Sequence, residues 1–242
     1  MCKHIAFIYN YLENKKIEII VNVLIPAAGS GSRMKAGKNK LLVDLEGESI
    51  IYWTLKAVLS ASFVSWVGII GQPNDKKELF NSIKNFSNEV SWINGGLTRQ
   101  ESVFNGLNAL PSNAEKVLIH DGARCLINSE MINKCALELE DNDAVIVATK
   151  VTDTIKIVDN EGYIQETPNR ENLWAAQTPQ GFLVKRLRKA HEMAIEKNWI
   201  VTDDASLFEM LNWRVKIIEG NSSNIKITSP LDLKVAKLFL RN

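Results

Sequence analysis

Short apolar runs alternate with amphipathic segments along almost the whole chain. Several of the apolar runs are continuous and rich in β-branched residues, which is typical of strands that are covered on both faces. The runs that predict strands are Ile19–Pro26, Ser65–Ile70, Val90–Ile93, Lys116–His120, Ala144–Ala148, Arg214–Glu219 and Asn224–Ile227.

Helical patterns fill the intervals between these strands. Thr98 and Glu101 have the spacing of a capping box, and Ser229-Pro230 indicates an N-cap followed by a first-turn proline. The predicted helices are Ser49–Ser60, Asp75–Asn85, Thr98–Leu110, Glu130–Glu140 after an N-cap at Ser129, one with Leu183, Leu187, Ala190 and Ala194 on a single face, and one beginning at Ser229-Pro230. This alternation predicts an α/β fold with a Rossmann-like, mostly parallel sheet and helices on both faces.

Residues 150–175 break the alternation and predict a projecting β-arm. Two polar β-segments surround Asp159-Asn160-Glu161-Gly162, in which Asn160 to Gly162 resembles a hairpin turn. A hairpin that leaves the core has an exposed edge unless another chain covers it, so we expect a homodimer formed through the arm. Residues 19–242, which include this arm, are expected to form a single nucleotidyltransferase domain after an N-terminal extension, residues 1–18.

Composition narrows the classes of partner. The 29 Lys and Arg and 28 Asp and Glu leave a net charge of +1, so no overall field attracts nucleic acid or a membrane. Three cysteines without CxxC spacing and three scattered histidines exclude a disulfide framework and a zinc site. The apolar run Ile5–Leu12 is too short for a membrane span and has no cleavage site, so we expect a cytoplasmic protein.

The loop after the first predicted strand has the composition of a phosphate site. Its small residues let backbone N–H groups approach an anion; they follow Pro26 in the order Ala27, Ala28, Gly29, Ser30, Gly31. Met34 stands where the dinucleotide fingerprint needs glycine or alanine. Asn39 stands where a P-loop needs serine or threonine, and the glycine spacing is also wrong. Both of those phosphate loops are therefore excluded.

Basic side chains follow these small residues. Residues 31–40 contain Arg33, Lys35, Lys38 and Lys40 and no acid, and so carry +4. A solvated surface is the alternative for Lys35 and Lys38, whereas Arg33 and Lys40 adjoin apolar residues and are predicted to face phosphate. We expect the segment to bind a nucleoside triphosphate, whose nucleotidyl group is transferred to a phosphorylated small molecule.

Seven blocks, in order, resemble the 2-C-methyl-D-erythritol 4-phosphate cytidylyltransferases of the non-mevalonate isoprenoid pathway. The first is Pro-Ala-Ala-Gly-x-Gly-x-Arg-Met with a lysine six residues after Met34. The others are Gly95-Gly96-x-x-Arg99-x-x-Ser102-Val103, His120-Asp121-Gly122-Ala123-Arg124, Asp153-Thr154-Ile155-Lys156, Leu173-Trp174-Ala175-Ala176-Gln177-Thr178-Pro179-Gln180, Thr202-Asp203-Asp204-Ala205-Ser206 and Asn224-Ile225-Lys226. Together they cover about residues 20–240.

The resemblance implies a role for each matching residue. The expected reaction is attack by the acceptor phosphate on the α-phosphate of CTP, with Arg33, Lys40 and Lys226 as catalytic cations. The nucleotide-binding set is Pro26, Ala27, Ala28, Gly29, Ser30, Gly31, Gly95, Gly96 and Ser102. The substrate-binding set is Asp121, Arg124, Thr154, Arg170, Thr178 and Thr202, with Thr154 and Arg170 acting in the partner's site. Asp121 follows a strand at the predicted ligand edge of the sheet, where a carboxylate suits Mg²⁺.

Some alternatives stay open. Asn39 replaces a proline often found before the catalytic lysine, and Leu97 a frequent acid. Asp203 and Asp204 are equally suited to the first turn of a helix. The acceptor could be another polyol phosphate, such as ribitol 5-phosphate, and a non-catalytic nucleotide-binding protein is the alternative from a different class.

Overall fold

The computed structural model describes residues 19–28 and 39–241, which form a seven-stranded sheet with helices on both faces. The strands are β1 (Val21–Pro26), β2 (Asp44–Leu45), β3 (Glu48–Ser49), β4 (Val64–Gly71), β5 (Val90–Asn94), β6 (Lys116–Ile119), β7 (Ala144–Lys150), β8 (Ile157–Val158), β9 (Ile164–Glu166), β10 (Trp174–Leu183) and β11 (Lys216–Glu219). The α-helices are α1 (Ile50–Leu59), α2 (Lys76–Ser82), α3 (Arg99–Ala109), α4 (Ser129–Glu138), α5 (Val184–Glu196), α6 (Ala205–Met210) and α7 (Pro230–Arg241).

The central sheet has the strand order β11-β7-β10-β6-β1-β4-β5. Strands β6, β1, β4 and β5 are parallel neighbours, and β11 is parallel to β7. The single antiparallel member is β10, which lies between β6 and β7. The predicted α/β fold with a mostly parallel sheet is therefore confirmed.

The core lies on both sides of this sheet. In β1, Val23 and Ile25 belong to the apolar cluster that contains α1 and α4, whereas Leu24 belongs to the cluster of α3 and α5. Both clusters are fully buried at these positions because successive side chains of a strand point to opposite faces. This two-sided burial explains why the strand appears in the sequence as a continuous apolar run.

The projecting arm is present as the hairpin β8–β9. Gly162 has a φ of +89°, a backbone conformation that glycine adopts without strain, and the Asp159 carboxylate accepts from the N–H groups of Glu161 and Tyr163. The four aliphatic and aromatic residues around the hairpin, Ile157, Val158, Tyr163 and Ile164, are 48–68% exposed.

Two local predictions are wrong. The segment Asn224–Ile227 is not a strand; it is a loop anchored by the Asn224 side chain, which donates to the main-chain oxygen of Thr178 at 2.9 Å. Helix α4 is capped by Asn128 rather than Ser129, since the Asn128 side chain accepts from Met131 N at 2.9 Å. In the described part of the chain, no helix combines the length and apolar character needed to cross a membrane.

Candidate active site

A cleft of about 300 Å³ opens at the carboxyl ends of β1, β4, β5 and β6. Ligands bind at this edge in open α/β sheets because the loops that follow neighbouring parallel strands meet there. Eight residues predicted for the site line it: Pro26, Ala27, Ala28, Lys40, Gly96, Ser102, Asp121 and Lys226. The cleft thus brings together main chain that suits a nucleotide and side chains of both charges.

One wall of the cleft is a glycine turn supported from behind. Ser102 Oγ accepts from Gly96 N at 3.0 Å and donates to the Thr98 carbonyl at 2.8 Å. A Cβ on Gly96 would come within 2.3 Å of the Glu101 side chain, and one on Gly95 would meet Ser102 Oγ at 3.1 Å. A side chain at Gly96 would therefore clash with the start of α3, and one at Gly95 would be tightly packed. The capping box forms, with Glu101 N donating to Thr98 Oγ1.

Lys40 enters the cleft from a 3-10 helix, Lys40–Leu42. Its Nζ donates to the Ile227 carbonyl at 3.3 Å, which places it beside the loop that carries Lys226. Residues 29–38, which contain the predicted site residues Gly29, Ser30, Gly31 and Arg33, lie outside the described residues.

Asp121 is the carboxylate at the centre of the charged side of the cleft. Its Oδ2 lies 2.8 Å from Lys226 Nζ and 3.6 Å from Arg124 Nε. Burial acts to raise the pKa of this carboxyl, but Lys226, Arg99 and Arg124 outweigh burial and lower the pKa below its usual value. Asp121 is therefore ionised at neutral pH and holds Lys226 at the cleft.

Arg124 makes mostly internal contacts. Its Nη1 donates to the Asn224 carbonyl at 2.8 Å and its Nη2 to the Ala176 carbonyl at 3.3 Å. The guanidinium therefore ties the segment before Lys226 to strand β10. It does not line the cleft.

His120 and Thr178 support Asp121 from inside the sheet. His120 is fully buried, with Nδ1 3.0 Å from Thr178 Oγ1 and Nε2 3.1 Å from the Arg124 carbonyl. Thr178 Oγ1 also accepts from Asp121 N at 3.0 Å. Burial lowers the pKa of His120 to about 4, so the ring is neutral at neutral pH.

Arg99 is a cleft residue to which the sequence assigned no role. It lines the cleft, and its Nη1 lies 2.8 Å from Oδ2 of the buried Asp204. The other oxygen of Asp204 lies 3.2 Å from His191 Nε2. Asp203, the residue before the N-cap Asp204, instead accepts from Ser206 N in the first turn of α6 at 3.1 Å. The sequence signal for Arg99 was the Gly-Gly-x-x-Arg block, in which it stands three residues after Gly96 and begins α3.

Gln72 was also missed. It follows β4, lines the cleft and donates through Nε2 to the Gly96 carbonyl at 3.2 Å. Its position directly after a parallel strand could have indicated it.

Besides Arg124, four other predicted substrate residues do not line this cleft. Thr154 and Arg170 are exposed on the arm, on either side of the β8–β9 hairpin, and Arg170 Nη1 donates to the Thr152 carbonyl at 2.9 Å. Thr202 is exposed in the loop before α6, whereas Thr178 is buried behind Asp121. The cleft of one chain thus holds eight of the predicted residues that the structure describes, but not the residues predicted on the arm.

The model of the 2-C-methyl-D-erythritol 4-phosphate cytidylyltransferase family matches residues 21–242. The chain belongs to this family. It is 85% identical to a 2-C-methyl-D-erythritol 4-phosphate cytidylyltransferase of Prochlorococcus marinus strain MIT 9515 over 222 residues, which are 92% of this chain and 100% of the relative. Its identity to the corresponding protein of Trichodesmium erythraeum is 53%, over 91% of this chain and 98% of the relative.

Solved structures of the family share the fold. A 4-diphosphocytidyl-2C-methyl-D-erythritol synthase from Anaerococcus prevotii superposes with a TM-score of 0.83 at 33% identity, covering 92% of this chain and 99% of that one. A 2-C-methyl-D-erythritol 4-phosphate cytidylyltransferase from Thermus thermophilus gives 0.77 at 31% identity, covering 92% and 100%. The resemblance to this cytidylyltransferase family is therefore confirmed, and with it the prediction of a nucleotidyltransferase enzyme.

The acidic side chains of the cleft limit how a divalent cation could be held. Within residues 19–28 and 39–241, no group of three or more His, Cys, Asp or Glu side chains could hold a metal ion. Mg²⁺ is commonly held by one or two carboxylates while substrate phosphates and water supply the other ligands. Asp121, the one carboxylate among the described residues that line the cleft, is the residue that would hold such a cation together with the triphosphate.

Proposed function

We propose that this cleft transfers the cytidylyl group of CTP to 2-C-methyl-D-erythritol 4-phosphate, with Lys40 and Lys226 as the cations that bind the reacting phosphates. One observation carries this assignment. Lys40 and Lys226 are far apart in the sequence but line the same cleft, next to the Gly95-Gly96 turn. Lys40 Nζ donates to the carbonyl of Ile227, the residue that follows Lys226. A flat base beside the turn would place its triphosphate toward the lysines.

The reaction is a displacement at the α-phosphorus of CTP. A phosphate oxygen of the acceptor forms a bond to the α-phosphorus, and the bond from that phosphorus to the bridging oxygen breaks, releasing pyrophosphate. The acceptor phosphate is itself the nucleophile, so no protein nucleophile is needed. Catalysis then depends on positioning and on charge stabilisation of the transition state.

The lysines supply that charge. Lys226 is paired with Asp121 at 2.8 Å and Lys40 is hydrogen-bonded to a carbonyl, so both are held at the cleft before a nucleotide arrives. Arg33, outside the described residues, is the third cation of the proposal. Mg²⁺, held by Asp121 and the phosphates, would neutralise part of the triphosphate charge.

The acceptor end of the site is proposed to involve a second chain. Thr154 and Arg170 do not line their own chain's cleft, and the apolar side chains of the β8–β9 hairpin between them are exposed. A homodimer that covers the arm would bury this surface and bring both residues to the partner's cleft. A cytoplasmic location belongs to the same proposal, because it supplies CTP and suits free, buried Cys125 and Cys135.

The test compares Lys40→Ala with Lys185→Ala, a matched loss of an exposed lysine on α5. We expect Lys40→Ala to lower kcat for pyrophosphate release by roughly 10²–10³-fold, the effect of removing one oxyanion donor. Lys185→Ala should retain normal turnover. A near-normal kcat in Lys40→Ala would refute the role of this lysine.

The acceptor is tested with the unmodified enzyme. Pyrophosphate release is measured with CTP and either 2-C-methyl-D-erythritol 4-phosphate or ribitol 5-phosphate. We expect turnover with the first and little with the second. A preference for ribitol 5-phosphate would change the acceptor while leaving the role of the lysines intact.

A further inference from the structure

Asn39, directly before Lys40, is a buried amide with three partners. It is 5% exposed. Its Nδ2 donates to the Ala27 carbonyl at 2.8 Å and to Asp75 Oδ2 at 2.9 Å, and its Oδ1 accepts from Leu41 N at 3.0 Å. Both amide hydrogens and the amide oxygen are therefore used.

These three bonds connect three segments at the ligand edge of the sheet. Ala27 follows β1 and lines the cleft; Asp75 ends the 3-10 helix Pro73–Asp75 after β4. Leu41 lies in the first turn of the 3-10 helix that begins at Lys40. A single side chain thus joins the nucleotide wall to the backbone that carries the proposed catalytic lysine.

The backbone angles of Asn39 are ones that proline could also adopt. Its φ of −54° and ψ of 124° lie in the range that proline adopts, and proline is the residue often found at this place in the resembled family. A proline would restrict φ through its ring, but it has no side-chain donor for Ala27 or Asp75. In this chain, hydrogen bonds supply a restraint that a ring would otherwise supply.

We infer that Asn39 is a positioning residue, which holds the Lys40 backbone at a fixed place relative to Ala27 and so keeps the lysine aimed into the cleft. This inference rests on the proposed function of Lys40. Displacing a catalytic group by about 1 Å is enough to lower the rate roughly 10²-fold. Loss of the Asn39 hydrogen bonds should therefore give a measurable decrease in kcat.

The experiment compares Asn39→Ala and Asn39→Pro in the full-length enzyme. Asn39→Ala removes all three bonds and is expected to lower kcat about ten- to hundredfold, with a smaller change in KM for CTP. Asn39→Pro restores the restraint on φ and should retain more activity than Asn39→Ala. Equal kcat for wild type and Asn39→Ala, or a proline variant poorer than the alanine variant, would overturn the inference.

A double variant separates positioning from general loss of structure. If Asn39 acts through Lys40, then Asn39→Ala should cause no further loss, within about twofold, in the Lys40→Ala background. A full additional loss there would show that Asn39 supports the fold rather than the lysine. If Lys40→Ala alone keeps normal kcat, the proposed function fails; if only Asn39→Ala does, the positioning inference fails.

Asp75 provides a second route if the Asn39 variants fold poorly. Asp75→Asn keeps an oxygen that accepts from Asn39 Nδ2, whereas Asp75→Ala removes the acceptor. We expect Asp75→Ala to lower kcat severalfold and Asp75→Asn to stay within about twofold of wild type. Identical kcat for Asp75→Ala and wild type would contradict the tie to this segment.

Discussion

At the scale of single residues, the hydrogen-bond partners of His120 determine which ring nitrogen carries the proton. The Arg124 carbonyl can only accept, so Nε2 of His120 carries the ring proton and Nδ1 accepts from the Thr178 hydroxyl. Thr178 Oγ1 accepts from Asp121 N. Its one hydrogen is donated to His120, so the Thr178 hydroxyl links the buried ring to the Asp121 backbone and makes no contact with the cleft.

The burial of neutral His120 predicts how stability changes with pH. The folded-state pKa is about 4 and the ordinary value is 6.5, so between these values the unfolded chain binds more protons. The free energy of unfolding should therefore be highest above pH 6.5 and fall by about 3 kcal/mol as pH drops to 4. Denaturant unfolding of the metal-free protein at pH 7, 5.5 and 4 measures this change.

The matched control is His120→Asn, which keeps an acceptor near Thr178 but cannot take up a proton. Although less stable at pH 7, this variant should lose less stability between pH 6.5 and 4 than wild type does. Equal pH slopes for the two proteins would show that another group causes the acid sensitivity.

At the scale of elements, a strand could be predicted from the sequence when its buried residues are apolar, and not when they are polar. Strands such as Ile19–Pro26 and Ala144–Ala148 are parallel or two-sided and mostly apolar, so hydrophobic pattern alone identified them. Strand β10 was missed because its buried residues include Gln177, Thr178 and Gln180, whose partners are distant side chains. The two isoleucines of Asn224–Ile227 favoured a strand, but the segment is a loop whose Asn224 side chain is hydrogen-bonded to Gln177 and Thr178.

Within the site, local motifs predicted the cleft residues at the strand ends. They could not predict Arg99 pairing with Asp204, because this contact joins α3 to the loop before α6. They equally could not show that Arg124 donates to two carbonyls instead of facing the cleft. Such partners depend on tertiary packing over long sequence separations.

Gly181 tests the packing of β10 directly. A Cβ at this position would come within 2.8 Å of Leu118 Cδ2 and of Val145 Cγ2. Overpacking of this kind costs about 1–3 kcal/mol, so Gly181→Ala should lower the free energy of unfolding by that amount in urea denaturation. Adding Val145→Ala removes one of the two clashing methyl groups, and the double variant should lose less than the sum of the single effects. Strict additivity would contradict a direct clash.

At the scale of the whole molecule, the described fold leaves its site residues in two places. Nucleotide and charge residues line the cleft, whereas Thr154 and Arg170 lie beside an exposed apolar hairpin. The proposed homodimer accounts for both features, because covering the arm would also supply the acceptor residues. It predicts a gel-filtration mass twice the 27.2 kDa of one chain.

Mixing two inactive variants distinguishes a shared site from a self-contained one. Lys40→Ala disables the cleft and Arg170→Ala disables the arm, so each homodimer should be impaired in every site. If the arm acts on the partner, a mixed dimer has one site with an intact Lys40 and an intact Arg170. Random exchange of subunits makes half of the dimers mixed, so activity should recover to about a quarter of wild type. If Arg170 instead serves its own chain, each mixed-dimer site still lacks one of the two residues, and mixing should restore nothing.

The control for this experiment mixes Lys40→Ala with Lys226→Ala, two cleft variants, and should also give no recovery. Recovery in that control would mean that the cleft itself is shared, which contradicts a site in which both lysines come from one chain.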